Sequence, residues 1–204
     1  MINLPLIVQW VYGFDICTCK FKYLYHESFS NYHAPQSGNL NGKQSMDCGI
    51  KKNPEQYTVH DLYGTYPDEK IDVEKEQQLV DNHDTILFQF PFYWFNCPPL
   101  LKKWLDEVLV YGWAYGSKSG YKVAGKKIAL AISVGINEEE YSASGKYKYT
   151  LKELTAPFEV TFHYIKADYK PFFAFYGIET NVLPERIEKS TRDYIDFITA
   201  LEKE

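Results

Sequence analysis

Long apolar runs are missing from this 204-residue chain. No stretch approaches the roughly 20 residues that a membrane helix needs, and Met1 to Val8 lacks the basic start of a secretion signal. Cysteine is scarce. Cys17, Cys19, Cys48 and Cys97 show neither CxxC nor paired metal-ligand spacing, so reduced thiols are expected rather than disulfides or zinc, in a cytoplasmic protein. A charge excess of one sign is lacking too: the formal net charge is −5 and the lysines are scattered between acids, which argues against nucleic acid as a partner. HExxH and GxSxG are absent and no GxGxxG opens a helix, so metallohydrolase and serine hydrolase chemistry fall away and no metal is expected. Residues 120–127 imitate the start of a P-loop, but the terminal Ser/Thr is missing and a strand follows; they read as a turn. Nothing marks a linker, an internal repeat or a low-complexity tract, so residues 1–204 are expected to form one domain.

What the chain has in quantity is aromatic residues, 17% of the total, and they concentrate in residues 84–116. Thr85 to Phe90 is a short β-branched and aromatic run ended by Pro91, which reads as an inner strand of a parallel sheet. Pro98 and Pro99 open a helix in which Leu100, Leu101, Trp104, Leu105, Val108 and Leu109 share one face, to about Tyr111. Burying those six side chains is worth roughly 10 kcal/mol before entropy costs. Trp104 is therefore core, and Phe92-Tyr93-Trp94-Phe95-Asn96 is a loop at the carboxyl end of a strand, where open α/β sheets bind ligands. Elsewhere Tyr57 to His60, Ile128 to Val134 and Phe172 to Tyr176 read as strands. Val73 to Asn82, Leu151 to about Tyr164 (despite Pro157) and Pro184 to Leu201 read as helices, the last with Ile187, Tyr194, Ile195, Ile198 and Leu201 on its apolar face. Alternating strands and helices imply a doubly wound parallel sheet with right-handed crossovers.

From Glu55 onward, several segments occur in a specific order and spacing: His60-Asp61-Leu62-Tyr63, Tyr66-Pro67-Asp68, Asp72 to Gln77, Gln89 to Trp94, Pro98 to Trp104, Tyr111 to Gly116, and Gly125-Lys126-Lys127 before a strand. Together they resemble the flavodoxin-like NAD(P)H:quinone oxidoreductases, in particular the small bacterial branch of general stress flavoproteins, modulators of drug activity and ancillary subunits of potassium efflux. The resemblance implies an α/β flavodoxin-like fold, a five-stranded doubly wound parallel sheet flanked by helices. It also implies hydride transfer from NAD(P)H through FMN, with FAD as the alternative flavin, to a quinone or similar acceptor, in a homodimer. The alternatives are a regulatory subunit docked on a potassium-efflux transporter and a cofactor-free product of a disrupted gene.

By the same resemblance, Pro91, Phe92, Tyr93, Trp94 and Phe95 would line one edge of the flavin, with backbone amides near N5 and O4. Ser133, Val134, Gly135 and Ile136 would supply N–H groups to N1 and O2, and Tyr141 would donate its hydroxyl there. Preorganised donors at a site of developing charge are the usual device for such chemistry. The family pattern in that loop is Thr-Thr-Gly-Gly, so Ser133, Val134 and Ile136 are departures. Trp113 and Tyr115 suit a dimer contact or pocket rim, His60 a structural place on its strand, and Cys97, without a paired base, no nucleophilic role.

The first fifty residues do not fit. Leu6-Ile7-Val8 starts like a strand but runs into Gln9-Trp10-Val11-Tyr12-Gly13, and residues 33–37 with Asn39 or Asn41 only loosely echo a His-Pro phosphate loop. Reading the codons allowed for residues 28–49 one base later permits an apolar strand, His-Pro-Asn, a Ser and Val-Asn-Asn. A Trp follows whose codon is fixed by Met46 and the first base of Asp47. A displaced reading frame, or disorder, is thus an expectation for this segment. A displaced frame would remove the innermost strand.

Overall fold

In the computed structural model, residues 6–10, 57–117, 120–180 and 183–203 are described. The phosphate-loop reading of residues 33–41 and the displaced frame over residues 28–49 lie outside them.

The described elements run β1 (Leu6–Trp10), β2 (Tyr57–Asp61), α1 (Leu62–Thr65), α2 (Val73–Asp81), β3 (Thr85–Pro91), α3 (Pro99–Val108), β4 (Lys127–Ser133), a 3-10 turn (Glu138–Glu140), α4 (Leu151–Tyr164), β5 (Asp168–Tyr169), β6 (Phe173–Phe175) and α5 (Pro184–Lys203). Every strand pairing is parallel. The order is β2-β1-β3-β4, with β5 and β6 sharing the fifth position: β5 pairs with the start of β4 and β6 with its end. This 2-1-3-4-5 order is that of the flavodoxin-like doubly wound fold.

The innermost position of the sheet is filled by the strand that Leu6-Ile7-Val8 begins. Leu6–Trp10 pairs with β2 on one side and β3 on the other, running on through Gln9 and Trp10. Its weak pattern arises because an inner strand has no solvent face to alternate with.

Alternate residues of β3 and β4 divide the core. Ile86, Phe88, Phe90, Ile128, Leu130 and Ile132 join the large cluster under α2, α3 and α4. Leu87, Ala129 and Ala131 face α5, packing with Tyr194, Ile198 and Leu201. On the first side Phe88 meets Trp104 edge-on at 5.3 Å and stacks on Phe162 at 5.7 Å, arrangements that favour ring quadrupoles. On the second, the Tyr194 hydroxyl donates to Gln89 Oε1, satisfying a polar side chain inside the sheet. Helix α3 stops at Val108 rather than Tyr111: Val110 N–H bonds back to Val108 C=O and the chain leaves through Gly112 at φ +90°. Helix α4 spans Leu151 to Tyr164 around Pro157 and starts on a Thr150–Glu153 capping box. On α5 the fully covered positions are Ser190, Tyr194, Ile198 and Leu201, while Ile187 and Ile195 are half-buried.

One charged group sits in the large core. Glu76 of α2 is 1% exposed. Its carboxylate accepts from His60 Nε2 at 2.9 Å, Tyr66 Oη at 2.7 Å and Trp104 Nε1 at 2.8 Å. Four separate segments are tied at this point, and His60 is structural.

Candidate functional site

Two loops meet at the carboxyl ends of adjacent strands. The loop after β3 runs from Phe92 to Cys97, and the loop after β4 from Val134 to Asn137. Register places Pro91 opposite Ser133, and Phe92 N–H donates to Ser133 C=O at 2.9 Å, zipping the loop bases together. Beyond that point the first loop folds on itself. Tyr93 N–H bonds Pro91 C=O and Asn96 N–H bonds Tyr93 C=O. The turn is closed by Asn96 Oδ1, which accepts from Cys97 N–H. Such a tight turn forces Trp94 (φ 47°) and Phe95 (φ 62°) into the left-handed region. For bulky side chains that is uncommon, and strain of this kind gathers at functional sites. Trp94 is 93% exposed, and Tyr93 and Phe95 are also exposed.

Behind the turn lies a connected group of rings. Phe92 contacts Phe95 and Tyr141, Phe95 packs on Tyr147 at 5.0 Å, and Tyr141 lies 4.9 Å from Tyr147 and 5.9 Å from Tyr176. Burial, followed by the nearby Tyr147 and Glu179, pushes the Tyr141 phenol up to about 12. Burial, followed by Glu138 and Tyr141, does the same for Tyr176, also to about 12. Both are neutral donors at ordinary pH.

At the carboxyl ends of β3 and β4 the chain brings together Pro91, Ser133, Gly135 and Tyr141 with Phe92 and Phe95. Val134 does not present itself: its side chain is fully buried and its N–H is bonded to Phe175 C=O. Ile136 turns its side chain against the main core, and its C=O accepts from Gly177 N–H, which leaves its N–H unused. Among the described residues, no hydrogen bond uses the N–H groups of Trp94, Phe95, Gly135 or Ile136, and the Ser133 hydroxyl is buried without a partner. Cys97 is buried and its thiol is pushed up to about 11 by burial, so it is a poor nucleophile.

A third segment braces the second loop. Gly177, Ile178 and Glu179 N–H donate to the carbonyls of Ile136, Val134 and Gly135, and Thr180 Oγ1 donates to Asn137 Oδ1. Tyr147, Tyr176 and Glu179 are missed by sequence reasoning. For Tyr176 a signal existed, since it closes a strand at the sheet's carboxyl edge. A separate cavity of about 530 Å³ lies behind the brace, lined by Glu138, Phe173, Tyr176, Arg186, Lys189 and Asp193 among others. Its cations are engaged, Lys189 with Asp193 and Arg186 with Tyr176 C=O. Among the described residues no group of three or more His, Cys, Asp or Glu could hold a metal, and no described helix is long and apolar enough to cross a membrane.

Trp113 and Tyr115 follow α3 and are partly buried against the main core. Tyr115 bridges Tyr111 and Tyr164 by ring contacts, beside exposed Val160.

The chain is 48% identical over 149 residues to the uncharacterized NAD(P)H oxidoreductase YrkL of Bacillus subtilis (strain 168), covering 73% of this chain and 84% of that one. It is 38% identical over 144 residues to KefG of Pectobacterium atrosepticum, the ancillary protein of a glutathione-regulated potassium-efflux system, covering 70% and 77%. The crystal structure of the general stress protein 14 from Treponema denticola in complex with FMN superposes with a TM-score of 0.69 at 48% identity, covering 74% and 86%. The family described as having a flavodoxin-like fold matches residues 31–198. Strand order, the paired carboxyl-end loops and these matches agree, and the chain belongs to that flavodoxin-like family.

Proposed function

We propose that the chain is an FMN-dependent NAD(P)H oxidoreductase, a single flavodoxin-like domain whose acceptor is a quinone or a similarly flat molecule. The observation that carries this is the set of unspent backbone N–H groups at Trp94, Phe95, Gly135 and Ile136, on facing loops and backed by a wall of rings. A flat heteroaromatic ring edged with oxygen and nitrogen acceptors satisfies both features at once. The named relatives support the reading: the Treponema protein was crystallised with FMN, and YrkL is named an NAD(P)H oxidoreductase.

The chemistry that FMN supplies when bound is two-electron transfer from a reduced nicotinamide to the acceptor. The chain's part is orientation and charge. Gly135 and Ile136 N–H would serve the ring's N1–O2 side, where negative charge gathers on reduction, and Trp94 and Phe95 N–H the N5–O4 side. Tyr141 stays protonated and adds a neutral donor. The exposed Trp94 indole gives a nicotinamide or a quinone a surface to cover. A second copy covering Tyr111, Tyr115, Val160 and Tyr164 would remove an apolar patch from water, and a cytoplasmic homodimer is part of the proposal.

The test is the visible spectrum of purified protein after FMN loading and removal of free cofactor. A retained flavin band that bleaches with NADPH and returns with a quinone is expected; a colourless protein would overturn the proposal. Retained flavin with negligible turnover and co-purification with a membrane transporter would instead favour the KefG-like reading. Trp94→Ala should leave thermal stability within about 0.5 kcal/mol, because the side chain touches little. FMN or acceptor binding should weaken by about 0.5–1.5 kcal/mol, the worth of one ring contact, measured by titration of flavin fluorescence and by KM.

A further inference from the structure

Glu179 occupies an unusual place for an acid. A Cβ built on Gly135 would lie 2.8 Å from Glu179 Cδ and 2.9 and 3.0 Å from its two carboxylate oxygens. The carboxylate therefore rests against the Cα of the residue whose N–H would serve the ring's N1–O2 side. The backbone that carries it is held in place, while the side chain itself is exposed. The N–H groups of Gly177, Ile178 and Glu179 clamp residues 177–179 to residues 134–136, at 3.0, 3.2 and 3.0 Å. Gly177 adopts φ +73° to enter the clamp, and Thr180 closes it on Asn137 at 2.9 Å. No ion pair between described residues involves Glu179. The nearby cation Arg186 lies beside Gly177, over the Phe175 ring and bonded to Tyr176 C=O. The negative charge is thus directed at the flavin loop and incompletely offset.

We propose that Glu179 is a positioning and potential-setting residue, whose carboxylate against Gly135 disfavours charge build-up at the flavin's pyrimidine edge and so lowers the flavin's reduction potential. This rests on the flavin reading above. On reduction, negative charge gathers on N1 and O2, and a fixed negative charge near those atoms raises the free energy of the reduced form relative to the oxidised one. The loop's two free N–H groups pull the other way, so the potential is set by their balance with Glu179. A lower potential makes the reduced site a stronger donor to its acceptor. The field of Glu179 already reaches the neighbouring phenol, since it contributes to holding Tyr141 protonated.

The experiment is a redox titration of FMN-loaded wild type, Glu179→Gln, Glu179→Asp and, as a control for overall charge, Glu185→Gln on the exposed first turn of α5. Glu179 is exposed and screened by water, so the expected effect is modest. In Glu179→Gln the reduced flavin should bind about threefold tighter relative to the oxidised form, an upward midpoint shift of about 14 mV for two electrons. The shift should shrink at high salt. Glu185→Gln and the charge-conserving Glu179→Asp should stay near wild type. An unchanged or lowered midpoint in Glu179→Gln, or an equal rise in Glu179→Asp, would overturn the inference while leaving the flavin reading intact. A wild-type chain that holds no FMN would overturn both.

Discussion

Replacing Glu76 by alanine should cost about 3–5 kcal/mol of stability, the loss typical of breaking a buried charged network by removing one partner. The carboxylate is 1% exposed and accepts three hydrogen bonds, from β2, from the turn after α1 and from α3. Without it, Tyr66 Oη and Trp104 Nε1 remain in the core as donors with nothing to receive them, which is the expensive half of the change. At roughly 2–4 °C per kcal/mol for a domain of this size, the melting temperature should fall by about 6–20 °C. Glu76→Gln keeps the shape but offers one acceptor oxygen in place of two, and should fall between the alanine variant and wild type. The network also predicts a pH dependence. Burial pushes the Glu76 carboxyl up, but the hydrogen bonds from His60 and Tyr66, the charge of His60 and the bond from Trp104 outweigh it, and the net shift is downward. The unfolded chain therefore binds more protons between the ordinary carboxylate value, about 4.3, and the lowered folded one. This stabilisation is fully present above that window and is lost as pH falls through it. Urea melts at neutral pH and near pH 3 should show the gap between wild type and Glu76→Gln narrowing in acid. A gap of constant size would mean that the carboxylate is not the ionised centre of the network.

Elements whose pattern is local were legible in the sequence. The continuous apolar runs of β3 and β4 and the helix from Leu151 to Tyr164 lie where periodicity put them, because many residues repeat the same message. Pro157 did not mislead, since a residue in a helix's second turn gives up only one N–H bond and tertiary packing of Phe158 and Phe162 outweighs it. Features that depend on distant partners were not legible. In the sequence, Glu76 sits in a run of acids and lysines that looks like a solvated face. Its donors stand 16, 10 and 28 residues away, so nothing local marks it as buried. The same holds for the first strand, whose identity comes from two parallel neighbours rather than from its own alternation. At the site, residue type was readable and availability was not. Val134 and Gly135 are adjacent, yet only Gly135 keeps its N–H free, because Phe175 on a later strand takes that of Val134. Tyr147 and Tyr176 reach the ring group through a loop and a strand end that sequence spacing does not bring together.

Gly145→Ala should damage flavin binding as well as stability. A Cβ at Gly145 would lie 2.5 Å from both the Glu139 and Glu140 carbonyl oxygens and 2.7 Å from the Glu140 carbonyl carbon. These are backbone atoms and cannot swing aside as a side chain would, so the loop itself must move. It is held by Gly145 N–H to Ser142 C=O and Oγ, Tyr147 N–H to Glu140 C=O, and Lys146 N–H to the Glu140 carboxylate. Tyr141 and Tyr147 ride on that loop, and their packing with each other, Phe92 and Phe95 shifts with it. Overpacking of this kind costs typically about 1–3 kcal/mol. Helix α4 begins on its own capping box, so far-UV circular dichroism should be unchanged. FMN affinity should fall roughly tenfold, corresponding to about 1.4 kcal/mol, as the ring wall and the Tyr141 donor are displaced together. Gly125→Ala supplies the contrast. Gly125 has φ +73° with nothing near its would-be Cβ, so alanine there carries backbone strain of about 1–2 kcal/mol at the opposite end of β4 from the two loops. It should lower the melting temperature comparably and leave FMN affinity alone. If both variants bind FMN as wild type does, the loop from Glu138 to Tyr147 is not an edge of the flavin site; if only Gly145→Ala weakens it, the loss belongs to the geometry around Tyr141 and not to stability.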